Sequence, residues 1–365
     1  MDWGDINILI TGGTGSFGKR FAEILLRDFQ CKKIIIFSRD ELKQHEMKTS
    51  GFEDPSLRYF IGDIRDKDRL CRAMYGVDIV IHAAALKQVP SCEYNPFEAV
   101  KTNIYGTQNV IDAAIDAGVK KVITLSTDKA VNPVNLYGAT KLCAEKITIQ
   151  GNAYSREGGA RFSCVRYGNV IGSRGSVIPV FIKQRTNRKI TITDNRMTRF
   201  WITLDQAVKL VIDGLHHMQG GEIFVPKIPS MKIMDLAKVV APECEIEVIG
   251  IRPGEKLHEI LITEEDGRNT VSYNGIYVVM PHYSWWEKKN YKTGQRLRDG
   301  FVYTSNNNDH WLTKEDLRNI VFGSSLYQVK RASELRSSTH HSSDKTILKT
   351  TDGLNYGKTI ERHYL

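Results

Sequence analysis

A short strand that runs into a glycine-rich loop and then into a helix is the feature that most constrains the fold of this chain. Residues 6–10 read INILI, a mostly apolar strand, and residues 11–18 read TGGTGSFG before an amphipathic helix starts. Glycines at these spacings allow a tight turn, let a pyrophosphate approach the backbone, and let the helix pack closely with its N-terminus facing the phosphates. With a second strand at 33–37, the pattern predicts a dinucleotide site. Its predicted loop contacts are Gly12, Gly15, Ser16, Phe17 and Gly18.

Apolar runs alternate with amphipathic helices along the chain. This predicts an α/β fold, with a Rossmann-type doubly wound parallel sheet and a smaller mixed α/β C-terminal substrate lobe. A chain of 365 residues can bury the core that both parts need. We expect the dinucleotide-binding domain over residues 1–168, with some later segments returning to it, and the substrate lobe mainly over residues 169–322. The segment 323–365 is rich in Ser, Thr, Lys and His, which predicts a weakly ordered tail.

The end of the second strand indicates which cofactor is bound. A site for NAD usually has an acidic residue there, against the ribose hydroxyl, whereas this chain has Arg39, with Lys43 one helical turn later. Two cations suit a 2′-phosphate, so we predict NADP, although Asp40 leaves room for NAD. His82 is interpreted as a packed strand residue and not as a catalyst. Further cofactor contacts are predicted at the ends of strands, namely Ser38, Asp63, Ile64, Ala83, Ala84 and Val170.

A proton-handling set follows a later strand. Residues 126–141 read STDKAVNPVNLYGATK and place Thr127, Asp128 and Lys129 shortly before Tyr137 and Lys141. The Tyr-x-x-x-Lys spacing sets both side chains on one face of a helix, one turn apart. We expect the Lys141 ammonium to lower the pKa of the Tyr137 phenol toward neutrality, which would make it a usable base. Thr127 can hold a substrate hydroxyl beside it.

Charge and cysteine content narrow the function classes. The net charge of +9 raises nucleic-acid binding as a rival, but the basic residues are dispersed among 42 acidic ones, without a long basic run. Six cysteines without C-x-x-C pairs or metal-ligand spacing indicate reduced thiols in a cytoplasmic enzyme and no metal site. No signal peptide and no apolar run of about 20 residues is visible, so we expect no membrane association.

Longer segments carry a resemblance to a known family. They read FSRDELKQ at 37–44, HAAALKQVP at 82–90, RYGNV at 166–170, SRGSVIP at 173–179, MTRFWI at 197–202 and RPGEKLHE at 252–259. With the motifs above, they resemble the extended short-chain dehydrogenase/reductase superfamily and, within it, the inverting UDP-N-acetylglucosamine 4,6-dehydratases of the pseudaminic acid type. The similarity covers about residues 5–322. Retaining dehydratases are expected to have Asp-Glu in place of Asp128-Lys129, and some inverting relatives have Met in place of Tyr137.

The resemblance implies an NADP-dependent hydro-lyase that acts on UDP-N-acetylglucosamine and inverts C5, giving UDP-2-acetamido-2,6-dideoxy-β-L-arabino-hexos-4-ulose. NADP would stay tightly bound and be regenerated in each turnover. The C5 hydrogen becomes acidic only after C4 is oxidised, so Tyr137 is expected to take the O4 proton first. Neutral Lys129 would then take the C5 proton, and Asp128 would protonate the departing C6 hydroxyl. The family also implies a homo-oligomer, with a hexamer as one arrangement, and a downstream aminotransferase that receives the product.

The second half of the chain is expected to supply most of the UDP-sugar site. Arginines suit the diphosphate because they offer several donors in one plane. Glu255 can accept from ribose hydroxyls, Asn169 can bond to the diphosphate or the sugar, and the resemblance adds Lys87. The predicted substrate contacts are Lys87, Asn169, Arg174, Gly175, Ser176, Val177, Pro179, Thr193, Arg199, Arg252 and Glu255.

Two other functions stay open. A UDP-sugar 4-epimerase on the same scaffold would need Tyr137 and Lys141, but it has no evident use for the Asp128-Lys129 pair. A non-catalytic NADP-sensing protein could keep the glycine loop and lose the catalytic residues, and this chain has lost none of them.

Overall fold

The computed structural model describes residues 2–172, 176–283, 286 and 291–323. Residues 1–318 form one compact unit, and a second unit starts at residue 319. Of that second unit the structure describes only residues 319–323, so the tail expected over 323–365 lies outside the described residues from 324 onward.

The strands, in chain order, are β1 (Asn7–Thr11), β2 (Lys33–Ser38), β3 (Leu57–Ile61), β4 (Ile79–His82), β5 (Lys121–Thr127), β6 (Arg161–Tyr167), β7 (Asn169–Val170), β8 (Lys189–Ile192), β9 (Thr198–Ile202), β10 (Ile223–Pro226), β11 (Ser230–Lys232), β12 (Glu245–Val248), β13 (Ile260–Ile262), β14 (Thr270–Tyr273), β15 (Ile276–Val279), β16 (Gln295–Arg296) and β17 (Tyr303–Thr304).

The helices are α1 (Ser16–Ile24), α2 (Glu41–Thr49), α3 (Lys67–Met74), α4 (Val89–Tyr94), α5 (Pro96–Val100), α6 (Gly106–Asp116), α7 (Leu136–Tyr154), α8 (Val177–Arg185), α9 (Leu204–His217), α10 (Ile233–Val240), α11 (Glu264–Gly267) and α12 (Lys314–Gly323). Single π-helical turns extend α1 over Leu25–Phe29 and join α5 to α6 over Lys101–Tyr105, and a 3₁₀ turn spans Asp128–Ala130. Within the described part of the chain, no helix has both the length and the apolar character that crossing a lipid bilayer requires.

Among the described residues of the first unit, ten strands form a central sheet with the order β16-β14-β15-β10-β6-β5-β4-β1-β2-β3. The seven strands from β10 to β3 in that order pair in parallel. The first six strands of the chain therefore lie in the order 3-2-1-4-5-6, which is a doubly wound order found in dinucleotide-binding folds. The predicted fold class is confirmed.

The central strands are apolar on both faces because helices cover both. In β1, Ile8 and Ile10 pack into one hydrophobic cluster and Leu9 packs into another. Phe21 of α1 belongs to the first cluster and Val110 of α6 to the second. A strand buried on both faces reads as a continuous apolar run, which explains the INILI pattern.

The order of the strands places a crevice at one end of the sheet. The chain winds outward from β1 through β2 and β3 on one side, and from β4 through β5 and β6 on the other. Connections that leave neighbouring strands in opposite directions open a gap beyond the carboxyl ends of those strands, here β1 and β4.

Strands beyond residue 168 divide between the central sheet and three small sheets. β10, β14, β15 and β16 extend the central sheet, with the last three antiparallel to their neighbours. The small sheets have the strand orders β11-β9-β7, β12-β8 and β13-β17. Later segments thus return to the central sheet, and the division into domains near residue 168 stays a prediction.

Candidate active site

A cavity of about 530 Å³ lies at the carboxyl ends of β1, β4 and β5. Residues predicted from separate parts of the sequence meet in its wall. Those lining it are Gly12, Gly15, Ser16, Phe17, Gly18, Lys43, Ala83, Ala84, Lys87, Thr127, Lys129, Tyr137, Lys141, Asn169, Val170 and Ser176.

The glycine loop fits a dinucleotide. Gly12 has a positive φ of 65°, and a Cβ atom there would lie 2.9 Å from the backbone of Ala84. A Cβ atom on Gly18 would lie 2.5 Å from Gly13, so α1 packs directly on the loop. Gly15 precedes α1 and has no side chain to cap the helix N-terminus. The N–H groups of the first turn are thereby left for an anionic ligand.

A buried network supports the Ala83-Ala84 segment of the cavity wall, next to the glycine loop. The Thr11 hydroxyl hydrogen-bonds to His82 Nδ1 (2.8 Å) and accepts from the backbone N–H groups of Ala83 and Ala84. His82 Nε2 lies 3.0 Å from the Thr107 hydroxyl. Burial lowers the pKa of His82 to about 3, so the ring is neutral. The interpretation of His82 as a packed strand residue is confirmed.

The predicted cofactor-selecting residues lie outside the cavity wall, apart from Lys43. Arg39 is about half exposed (56%), and its guanidinium lies 3.7 Å from Asp63 Oδ2. Asp63 also pairs with Arg65 at 2.8 Å, and Lys43 pairs with Asp40. The choice of NADP over NAD stays a prediction.

Two of the other predicted cofactor residues are also placed away from the cavity. The Ser38 hydroxyl is buried and hydrogen-bonds to the Thr14 hydroxyl at 3.0 Å. Ile64 packs into the hydrophobic core, where its side chain faces Gly106.

The catalytic candidates are brought together by a close approach of α7 to the turn after β5. Asn135 caps α7 by accepting from the N–H of Gly138 at 2.8 Å. A Cβ atom at Gly138 would collide with the carbonyl oxygen of Lys129. The absence of that Cβ atom lets the first turn of α7, which contains Tyr137, pack against the backbone of Lys129.

Lys129 lies between two buried carboxylates. Its Nζ atom is 3.0 Å from Asp128 Oδ1 and 3.6 Å from Glu259 Oε1, and Arg199 Nε is 3.5 Å from the same Glu259 oxygen. Burial alone would lower the pKa of Lys129, but the two carboxylates outweigh it and raise that pKa. The expected neutral amine is therefore wrong for this structure, because the sequence did not reveal the charges around it.

The pKa values of the two carboxyl groups beside Lys129, those of Asp128 and Glu259, are shifted in opposite directions. Burial raises the pKa of Asp128, and the nearby charge of Glu259 adds to the rise. Burial would raise the pKa of Glu259 as well, but Lys129, Arg199 and Lys256 lower it below its ordinary value. Asp128 is thus the carboxyl group that holds a proton more readily, which is what its expected role as an acid requires.

Tyr137 and Lys141 share α7 and both line the cavity, but the expected electrostatic effect of Lys141 is not found. Burial raises the pKa of Tyr137 to about 12, and the cation that opposes the rise is Lys129, helped by a hydrogen bond with Thr127. Burial lowers the pKa of Lys141. Desolvation thus outweighs attraction at Tyr137.

The predicted substrate residues are distributed unevenly. Asn169 Oδ1 and Ser176 Oγ are buried at the cavity without a hydrogen-bond partner in the described part of the chain, as expected of groups that meet a ligand. Arg199 is nearly buried and donates to the carbonyls of Thr198 and Leu257. The Thr193 hydroxyl donates to Met197 Sδ at 3.3 Å.

The remaining substrate candidates surround this region. Val177 and Pro179 lie in the first turn of α8. Arg252 is exposed, and its backbone N–H donates to the Glu255 carboxylate at 3.4 Å. Arg174 and Gly175 lie outside the described residues.

Glu259 is the functional candidate that the sequence reasoning missed. It closes the RPGEKLHE segment, which was quoted only for the resemblance. Its neighbour Lys256 was missed too, and the Lys256 ammonium donates to the carbonyl of Val131. The available signal was the acidic residue directly before the apolar run of β13, since a carboxylate that enters the core needs a charged partner.

Comparisons with known proteins give consistent results. The family model described as polysaccharide biosynthesis protein matches residues 8–281. The inverting UDP-N-acetylglucosamine 4,6-dehydratase of Campylobacter jejuni is 54% identical over 324 residues, which cover 86% of this chain and 97% of that protein. The UDP-glucose 4-epimerase of Rickettsia felis is 45% identical over 282 residues, covering 75% and 82%. The X-ray structure of Pen from Bacillus thuringiensis matches with a TM-score of 0.81 at 40% identity, covering 88% of this chain and 98% of that one. The resemblance drawn from the motifs is confirmed.

Proposed function

The chain belongs to the polysaccharide biosynthesis protein family, and we propose that it is an inverting UDP-N-acetylglucosamine 4,6-dehydratase, a hydro-lyase. The observation that carries this proposal is the position of Lys129 at the cavity, 3.0 Å from Asp128 and beside the Tyr137 turn. Oxidation at C4 needs the tyrosine, and elimination across C5 and C6 needs a base and an acid. The Campylobacter relative, which is matched along 97% of its length, has this activity in its name.

We propose NADP as the tightly bound cofactor, held by the glycine loop and the Ala83-Ala84 backbone. When bound, it would accept hydride from C4 and return it to C6, so no net redox change occurs. Tyr137 takes the O4 proton. A phenolate at this position is favoured by the Lys129 ammonium, whose attraction opposes the effect of burial on the Tyr137 pKa.

The elimination step uses the turn after β5. With C4 as a ketone, the C5 proton becomes acidic. Lys129 takes it as a free amine, after its ammonium proton has passed to Asp128, and Asp128 gives that proton to the C6 hydroxyl, which leaves as water. Asp128 is suited to this task because burial raises its pKa, which favours the protonated form. A proton then returns to C5 on the opposite face. Thr127, whose hydroxyl donates to Asp128 Oδ1 at 2.8 Å, keeps the carboxyl group oriented.

The biological setting that we propose follows from the same resemblance. The product would pass to a downstream aminotransferase, as the first step toward pseudaminic acid or a related sugar, and the enzyme would work as a homo-oligomer. The six cysteines are free thiols, which suits the cytoplasm.

A UDP-sugar 4-epimerase is the second candidate, because a relative with 45% identity has a 4-epimerase name. Epimerisation would use Tyr137, Lys141 and the cofactor. It gives no reason for a lysine to be held between two buried carboxylates, so the dehydratase accounts for more of the site.

A proton NMR time course of the purified protein with UDP-N-acetylglucosamine in heavy water tests the proposal. We expect a C6 methyl signal, deuterium at C5 and the couplings of the arabino isomer. Formation of UDP-N-acetylgalactosamine without a methyl signal would support the epimerase. Tyr137→Phe should bind the cofactor and give neither product.

A further inference from the structure

Hydrogen bonds of its own backbone fix the position of Glu259. Its N–H donates to the Ser305 hydroxyl at 2.9 Å, and its carbonyl accepts from the N–H of Ser305 at 2.8 Å. It directly precedes β13, which pairs with β17 at the same point. The residue is 3% exposed, so its carboxylate is directed into the protein at a defined position.

The Glu259 carboxylate contacts Lys129, which lines the cavity. Its Oε1 atom contacts Lys129 and Arg199, whereas its Oε2 atom is buried without a hydrogen-bond partner in the described part of the chain. Lys129 is in the wall of the cavity and Glu259 is not. Glu259 therefore acts on a substrate only through its neighbour.

The elimination needs Lys129 and Asp128 in definite protonation states. Lys129 must be an amine when it accepts the C5 proton, and Asp128 must be protonated when the C6 hydroxyl leaves. Transfer of the ammonium proton from Lys129 Nζ to Asp128 Oδ1, 3.0 Å away, gives both states at once. Lys129 becomes an ammonium again when it takes the C5 proton, at a stage when Asp128 still holds its own proton and cannot balance that charge. A second carboxylate next to Lys129 balances it.

We propose that Glu259 is a positioning residue for elimination: its carboxylate is the second counter-ion of Lys129 and stays ionised while a proton moves between Lys129 and Asp128. This inference rests on the proposed function. In the step, a proton moves from Lys129 Nζ to Asp128 Oδ1, and the free amine then takes the proton from C5. The C6–O bond breaks as Asp128 transfers its proton to that oxygen, and water leaves. The step ends with Lys129 as an ammonium and with Asp128 and Glu259 ionised, as at its start, so every proton is accounted for. The lowered pKa of Glu259 agrees with its place as the counter-ion.

Glu259→Gln tests the inference, since an amide of the same shape cannot balance the charge of the Lys129 ammonium. With UDP-N-acetylglucosamine we expect reduced nicotinamide to accumulate, because C4 oxidation is intact. We expect C6 methyl formation and C5 deuterium uptake to fall by about 10²-fold or more. Glu259→Asp, which keeps a carboxylate, should recover part of the elimination and also serves if the Gln variant does not fold.

Glu264→Gln is the matched control, because Glu264 is an exposed carboxylate of the same segment whose partner, Arg268, is also exposed. It should behave as the wild type. The inference is overturned if Glu259→Gln forms the methyl product at the wild-type rate, or if the folded variant loses C4 oxidation as severely as elimination. A wild type that forms no methyl product would overturn the proposed function as well, whereas a wild type that forms it separates the two questions.

Discussion

Lys129 Nζ lies 3.6 Å from Glu259 Oε1, although one residue follows β5 and the other precedes β13. Their contact joins the turn that holds the acid and the base to a segment from the last third of the chain. Burial disfavours both charges, but the attraction of their charged neighbours outweighs it, raising the pKa of Lys129 and lowering that of Glu259. Before reaction, Lys129 is therefore an ammonium and Glu259 a carboxylate.

Replacing Lys129 by Ala should abolish C5 solvent exchange while cofactor binding persists. Loss of a positioned general base costs about 10²–10⁴-fold in rate. Deuterium uptake at C5, followed by NMR, measures the effect, and cofactor fluorescence titration measures binding. Lys209→Ala, which removes a lysine that is 74% exposed, is the control. Retained exchange in Lys129→Ala would remove this lysine from the role of base.

Asp128→Asn should stop dehydration and stabilise the fold in a pH-dependent manner. The pKa of Asp128 is raised above its ordinary value of 3.8. The stability that its protonated form contributes is present in full below that value and is lost as the pH rises through the raised pKa. Asn cannot ionise, so the gain in melting temperature over wild type should be larger at about pH 8 than at about pH 5. A gain that is equal at both pH values, or larger at the lower one, would contradict the assigned direction.

Arg39→Asp should weaken binding of NADP far more than binding of NAD. Removing a charged donor to a phosphate costs about 1.5–3 kcal/mol, which is roughly tenfold or more in affinity, and the new carboxylate adds repulsion. Titration of both cofactors against the apoprotein is the measurement. Arg27→Asp offers a comparison, since Arg27 is also exposed and paired with an aspartate, its neighbour Asp28. Equal effects of Arg39→Asp on the two cofactors would undo the choice of NADP.

Gly138→Ala should destabilise the protein, which reverses the usual effect of this change in a helix. Ala is normally favoured over Gly in a helix by about 0.5–1 kcal/mol. Here the added Cβ atom would collide with the carbonyl oxygen of Lys129. Overpacking of this kind costs about 1–3 kcal/mol and would shift Tyr137 away from Lys129. Thermal unfolding and turnover would both report it.

Gly4→Ala is the control for that experiment, because a Cβ atom there meets its nearest neighbour at an ordinary 3.4 Å. If Gly138→Ala were as stable and as active as Gly4→Ala, the close approach of α7 to the turn would not be needed for the site.

The elements of the site could be predicted from sequence because each depends on a short stretch of chain. The TGGTGSFG loop, the apolar run of β1 and the Tyr137-x-x-x-Lys141 spacing are local patterns. A turn, a strand and one helical turn are set by residues a few positions apart. The same locality made the doubly wound parallel sheet predictable, since the alternation of strands and helices allows only a few sheet topologies. The order of the strands was read from the structure.

Only the tertiary structure determined the charges of Tyr137 and Lys129. The sequence indicated that Lys141 would act on Tyr137 and that Lys129 would be neutral, and in the folded protein burial dominates Tyr137 while Asp128 and Glu259 hold Lys129 as an ammonium. A pKa depends on how much water is removed and on every charge within a few ångströms, and those charges come from segments that are far apart in the chain. Short sequence motifs thus identify the catalytic residues, whereas the tertiary structure determines which of them are protonated.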